Sequence, residues 1–177
     1  MTNQFRAEPQ VGPKALGGLR VLDMGHIVSA GICTSLMADF GAEVTKLERP
    51  KVGDGMRKLG PSKNGHTLWW KVNARNKKSI TLDLGAAEGK QLCLDLVRGS
   101  DIVVENFRPG TLERLDLGWD VMSKANPKLV MLRISGYGQT GRYSQRRGFG
   151  RAAEAMSGAV YLTGFPDGPP LHPGFSM

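Results

Sequence analysis

Five short runs of strand-forming apolar residues recur along the chain, separated by stretches long enough for helices. They are residues 19–24 (LRVLDM), 43–47 (EVTKL), 79–84 (SITLDL), 101–105 (DIVVE) and 129–134 (LVMLRI). The last two are almost continuously apolar, as expected of strands covered on both faces in a parallel sheet. Between the first two runs, Ile32, Leu36 and Phe40 fall at i, i+4 and i+8 on one helical face. Ser29 is a candidate N-cap for that helix and Gly41 its stop. A second helix is expected over residues 86–97, with Leu92 and Leu96 on its buried face and Glu88 in its first turn. Shorter helices are expected over 111–115, 120–125 and 150–156. Strands alternating with helices predict an α/β fold with a doubly wound, mostly parallel, Rossmann-like sheet. Such sheets bind ligands at the carboxyl ends of their strands, so the loops after the five runs are the places to inspect.

Composition narrows the function. The 177 residues carry 24 Lys+Arg against 16 Asp+Glu, a formal charge of +8, with 40% hydrophobic residues. That is enough apolar material for a core, so wholesale disorder is not expected. No apolar run reaches the roughly 18 residues of a transmembrane helix. Residues 1–16 are polar, carry Glu8, Pro9 and Pro13, and lack an apolar signal core. The reading is a short tail on a cytoplasmic protein, with Cys33 and Cys93 as free thiols. The densest basic cluster is Arg142, Arg146, Arg147 and Arg151. No aromatic RNA signature, helix-turn-helix or zinc spacing accompanies it, so nucleic acid is not the expected partner. His26, His66 and His172 lack metal-ligand spacing, and no metal is expected. Met37, Met156 and Leu162 read as core. For Trp69 and Trp70, core packing of one and exposure of the other is preferred to a ligand platform.

Each strand-end loop allows a ligand role and a plainer one. After the first run comes Gly25-His26-Ile27-Val28-Ser29-Ala30-Gly31. Its two glycines do not make a dinucleotide GxGxxG, which argues against a nicotinamide or flavin site. The helix N-terminus it feeds can still hold a phosphate, a role compatible with capping by Ser29. After the second run, Arg49 beside Glu48 suits a phosphorylated ribose, or an exposed ion pair. After the fourth, Asn106 suits an amide or adenine edge and Phe107 a base, or both belong to a turn set by Pro109-Gly110. After the fifth, three glycines in residues 136–141 let the backbone approach a ligand, or form a surface loop.

Taken in order, several blocks resemble the class III CoA-transferases, the group that includes formyl-CoA and carnitine CoA-transferases. The blocks are GGLRVLDM, MADFGAEVTKLERP with GDGMR, NARNKKSITLDL, AAEGKQL, DIVVENFRPGTLERLDLGWD, NPKLVMLRISGYGQTG and AMSGAVYLTGFPDGPPL. They run from Gly17 to Leu171. The resemblance implies a Rossmann-like domain with coenzyme A at the strand ends, and an interlocked homodimer. It implies CoA contacts at Val28 and Ser29, at Arg49 for the nucleotide end, and at Leu82 and Asp83 beside the adenine. Asn106, Phe107 and Arg108 would line the crevice, Arg114 and Arg147 would add positive charge, and Gly148 and Phe149 would neighbour the pantetheine. The +8 charge then has a phosphate-rich partner.

The same resemblance implies transfer of CoA between carboxylic acids through an aspartyl covalent intermediate. In relatives that Asp follows the GPPL block; here the corresponding segment is residues 171–177, and the Asp is expected about two positions beyond Met177. No residue present is assigned its role, and the chain alone is expected to be inactive, a cut through a longer fold. Gly150 stands where many relatives carry an acid. Phe149 stands where the related racemases carry a His, which argues against a racemase. The expected organisation is a tail over 1–16, a CoA-binding domain over 17–163 and a Gly/Pro-rich segment over 164–177. The alternative is a non-catalytic CoA-binding or scaffold paralogue.

Overall fold

The computed structural model describes residues 14–172. The tail up to residue 13, and residues 173–177 of the Gly/Pro-rich segment, lie outside the described residues. Strand β1 (Arg20–Asp23) leads through helix α1 (Ser29–Asp39) to β2 (Glu43–Glu48). A 3-10 turn (Gly55–Lys58), the hairpin β3 (Ser62–Lys63) and β4 (His66–Thr67), and helix α2 (Leu68–Asn73) follow. Then come β5 (Lys77–Thr81), α3 (Ala87–Arg98) and β6 (Ile102–Glu105). Helices α4 (Thr111–Arg114) and α5 (Trp119–Ala125), strand β7 (Val130–Arg133) and helix α6 (Gly150–Met156) complete the order.

The main sheet runs β5-β2-β1-β6-β7 and every pairing in it is parallel. The chain winds outward from β1 to β5, then returns through α3 to the other side of β1. The winding direction therefore reverses between β1 and β6, the switch point at which sheets of this kind have their binding crevice. Leu22 pairs with Thr45 on one side and Val103 on the other, which fixes the register across the switch.

The expected apolar runs form the strands, and alternation sorts their side chains to two cores. Val21, Val44 and Val104 pack on the α1 side with Ala30 and Ala38. Leu22, Leu47 and Val103 pack on the opposite side with Cys93, Val97 and Met122. Helix α1 ends as expected at Gly41, whose φ is +105°. The amides of Gly41 and Ala42 donate to the carbonyls of Ala38 and Met37, closing a Schellman motif.

Several expectations are corrected. The Ile32–Leu36–Phe40 face of α1 points outward, with Leu36 50% exposed. The sheet takes the small face, Ala30, Thr34 and Ala38, which lets the helix sit close and brings Thr34 to Asp23. On α3, Leu92 is exposed, and Cys93 and Val97 point into the core with Leu96 at its margin. The third strand begins at Lys77, two residues earlier than its apolar run, and ends at Thr81. Lys77 is accommodated because Asp23 receives its ammonium. Residues 68–73 are helical. Neither Trp69 nor Trp70 enters a core: Trp69 is exposed, and Trp70 lies under the Arg57 guanidinium at 3.8 Å. Met156 and Leu162 are exposed, while Met37 packs partly against the α1-side core.

Cys33 and Cys93 are free thiols, and burial pushes the Cys93 thiol up to about 11. Among the described residues no helix is long and apolar enough to cross a membrane.

Candidate functional site

The loops after β1 and β6 meet across the switch point, and Asn106 joins them. The His26 amide donates to Asn106 Oδ1 at 2.7 Å. Asn106 Nδ2 donates to the His26 carbonyl and to Ser29 Oγ, each at 2.8 Å. Both hydrogens of the Asn106 amide group are thus committed to shaping the first loop. Ser29 is the first residue of α1 and makes no capping bond; the N-cap is Val28, in a helical conformation. The serine hydroxyl accepts from Asn106 instead of satisfying a helix amide. Gly25 is required here, because a Cβ on it would lie 2.1 Å from the Ala30 Cβ.

Three of the five main strands end in a buried acid that accepts an amide from the following loop. Asp23 Oδ1 accepts from Gly25, Glu48 Oε2 from Asp54, and Glu105 Oε2 from Phe107, at 2.9, 2.8 and 2.6 Å. Each acid is balanced by a cation. Lys46 and Lys77 approach Asp23 at 3.4 and 3.0 Å. Arg57 makes a two-pronged contact with Glu48 at 2.7 Å on both oxygens. Arg133 bridges Glu105 and Glu113, at 2.7 Å from each. Lys46 also meets Asp54 at 3.1 Å and the Gly25 carbonyl.

Burial opposes ionisation of Asp23, yet Lys46, Lys77 and the Thr34 hydroxyl overcome it and hold its carboxyl below the usual range. For Glu48, burial is likewise outweighed by Arg57, the Ser79 hydroxyl and the Asp54 amide, and the carboxyl is held at about 2. Burial also pulls the Lys77 ammonium down, against the pull of Asp23. These ions neutralise one another inside the loops.

Several cations outside this layer face solvent. Arg49, Arg108 and Arg147 are exposed and have no side-chain hydrogen bond or ion pair among the described residues. Arg114 is exposed and donates to Thr111 Oγ in its own helix. Arg49 directly follows β2, beside β1, at the same end of the sheet as the crevice.

The expected contact residues thus fall into groups. Val28, Ser29 and Asn106 come together at the switch point. Leu82 and Phe107 both pack against the α3-side core. Asp83 is exposed after β5 and accepts from Gly85 at 2.9 Å. Gly148 stacks on Gly136 after β7 so closely that a Cβ on either would lie 2.4 Å from the other's Cα. Phe149, next to it, is exposed. Asp23, Lys46, Asp54 and Lys77 were missed by sequence reasoning. For Asp23 an acid inside an apolar run was the available signal; Lys46, Asp54 and Lys77 had none.

A model of CoA-transferase family III matches residues 16–177. The chain belongs to this family. Among family members, the succinyl-CoA–D-citramalate CoA-transferase of Chloroflexus aurantiacus is 52% identical over 166 residues, 93% of this chain and 41% of that protein. The succinyl-CoA–L-malate CoA-transferase beta subunit of the same organism is 50% identical over 160 residues, 90% of this chain and 40% of the relative. The crystal structure of a CAIB/BAIF family protein from Brucella suis superposes with a TM-score of 0.87 at 34% identity, covering 93% of this chain and 45% of that one. The chain therefore spans about two fifths of the length of the curated CoA-transferases it matches.

Proposed function

We propose that this chain is the CoA-binding part of an acyl-CoA:carboxylate CoA-transferase. Its substrates are an acyl-CoA and a small carboxylate, and no metal is used. The observation that carries the reading is the switch-point crevice. Its two loops are locked together by Asn106, and the unpaired Arg49 guanidinium stands at the same sheet end. Coenzyme A is a phosphate-rich ligand that suits such a rim. On this reading Val28, Ser29, Leu82, Asp83, Phe107 and Arg108 lie along the coenzyme. Arg114 and Arg147 contribute charge, and Gly148 and Phe149 approach the pantetheine. Asn106 acts through the loop it holds. Residues 17–163 form the CoA-binding domain, between a tail over 1–16 and a linking segment over 164–177.

The chemistry proposed for the whole enzyme is covalent catalysis by an aspartate that is not among these residues. Its carboxylate attacks the thioester carbonyl, the C–S bond breaks, and CoA leaves as the thiolate. The thiolate then attacks the aspartyl carbonyl of the mixed anhydride, releasing the first carboxylate and leaving an aspartyl thioester. The acceptor carboxylate repeats the sequence in reverse. No oxidant and no other co-reactant is consumed. The enzyme is proposed to work in the cytoplasm as an interlocked homodimer, and this chain alone to be inactive.

Titration calorimetry of the chain with CoA tests the binding part. Saturable binding is expected, weakened about tenfold or more in Arg49→Ala, on the order of one charge-assisted phosphate contact. A folded chain that does not bind CoA overturns the reading. CoA transfer between two carboxylates by the isolated chain overturns the predicted inactivity.

A further inference from the structure

We infer that Asp54 is a positioning residue for the CoA crevice, setting the left-handed turn at Ile27 that presents Val28 and Ser29. The inference rests on the proposed CoA site. Ile27 has φ +61°. A β-branched residue adopts that conformation only when its surroundings hold it there. The structure offers one polar hold on Ile27 itself: its amide donates to Asp54 Oδ1 at 3.0 Å. The preceding amide, that of His26, donates to Asn106 Oδ1. Two consecutive amides are thus gripped by side chains from different loops, one after β6 and one after β2.

Asp54 is itself held on every side. Its Oδ1 also accepts from Met56 at 2.8 Å, which caps the 3-10 turn. Its Oδ2 faces Lys46 at 3.1 Å, and its own amide donates to Glu48 at 2.8 Å. Lys46 in turn donates to the Gly25 carbonyl, two residues before Ile27. The carboxylate is buried, so water does not compete for its bonds. A bond from an amide to a buried carboxylate is charge-assisted and stronger than one to a neutral acceptor. Asn106 sets where the loop sits relative to β6, while Asp54 sets its backbone conformation.

The test has two independent readouts on the 177-residue chain: exchange of the Ile27 amide without ligand, and affinity for CoA itself. Asp54→Ala is expected to speed Ile27 exchange and raise the CoA Kd about tenfold or more. Asp54→Asn keeps an acceptor for both amides and is expected to recover most of both losses. Adding Ile27→Gly to Asp54→Ala removes the penalty of the left-handed turn and is expected to restore part of the affinity. A purely structural role for Asp54 gives no such rescue, and its absence overturns the inference. Unchanged Ile27 exchange in a folded Asp54→Ala chain also overturns it. If the wild type shows the exchange pattern but does not bind CoA, the function reading falls, and the inference falls with it as a statement about a CoA site.

Discussion

Between Arg20 and Arg133, Leu22, Met24, Leu112 and Met122 are fully buried, each against side chains from other elements. After Gly136, Phe149, Tyr161, Leu162 and Phe165 stand 76%, 81%, 85% and 79% exposed. The charges divide the same way only in part, since the later segment also buries Glu154, 2.8 Å from His172. In the sheet region Asp23, Glu48 and Glu105 are buried and balanced by Lys46, Lys77, Arg57 and Arg133. In the later segment Arg142, Arg146, Arg147 and Arg151 face solvent. After β7, Gly136 stacks on Gly148 backbone to backbone. The difference teaches that the loops forming the crevice are fixed by the sheet and its ion pairs, independently of the segment after Gly136. On the proposed reading, the exposed apolar side chains are where the rest of the longer enzyme packs.

The comparison is broken most directly at Lys46. Lys46→Met leaves Asp54 buried without its ammonium and removes one of the two cations at Asp23. Stripping one partner from a buried ion cluster costs about 3–5 kcal/mol. Urea unfolding should show that loss, and a cost under about 1 kcal/mol would mean that the buried charges do not hold the loops. The next largest effect is titration of Glu48. Its carboxyl is held at about 2 in the fold against an ordinary 4.5. A depressed folded value contributes stability above pH 4.5 that is lost as pH falls toward 2. That contribution is about 3 kcal/mol. The stability difference between wild type and Glu48→Gln should therefore shrink between pH 4.5 and 2. A difference that stays constant over that range contradicts the Arg57–Glu48 geometry.

Legibility in the sequence follows the same division. Strands β1 and β6 were readable because both of their faces are covered, whereas β7, at the sheet edge with Val130 60% and Leu132 41% exposed, was readable from its apolar composition alone. The start of strand β5 was misjudged by two residues because it opens with Lys77 and Lys78, and the Lys77 ammonium is taken in by Asp23, Gly31 and Thr34, the nearest of them 43 positions earlier. Helix α2 was unreadable because Leu68, Trp69 and Val72 face outward, leaving no core stripe, and its N-cap Thr67 turns its hydroxyl to the Met56 carbonyl. In the candidate site, the strand-end positions of Ser29, Arg49 and Asn106 were legible from topology, since strand ends are where such sheets bind, while Val28 came from the family resemblance. The ion layer behind them was not. Lys46 meets Asp23 across 23 positions and Asp54 meets Ile27 across 27, separations that no local pattern encodes. The burial of Thr34 in place of Leu36 has the same origin: the helix turns its small face inward, which carries Thr34 to the Asp23 carboxylate.

The smallest effect is expected at Leu162, and it sharpens the other side of the comparison. Its side chain is 85% exposed and belongs to neither core cluster. Leu162→Ser removes little buried area, so its cost should lie within about 0.5 kcal/mol. The same substitution interrupts an apolar surface that includes Tyr161, and such surfaces drive association. Light scattering should then show less self-association for Leu162→Ser than for wild type at equal concentration, with unfolding midpoints unchanged. A loss of more than about 1 kcal/mol would show that this segment packs onto the sheet in solution, and the contrast between the two regions would fail there.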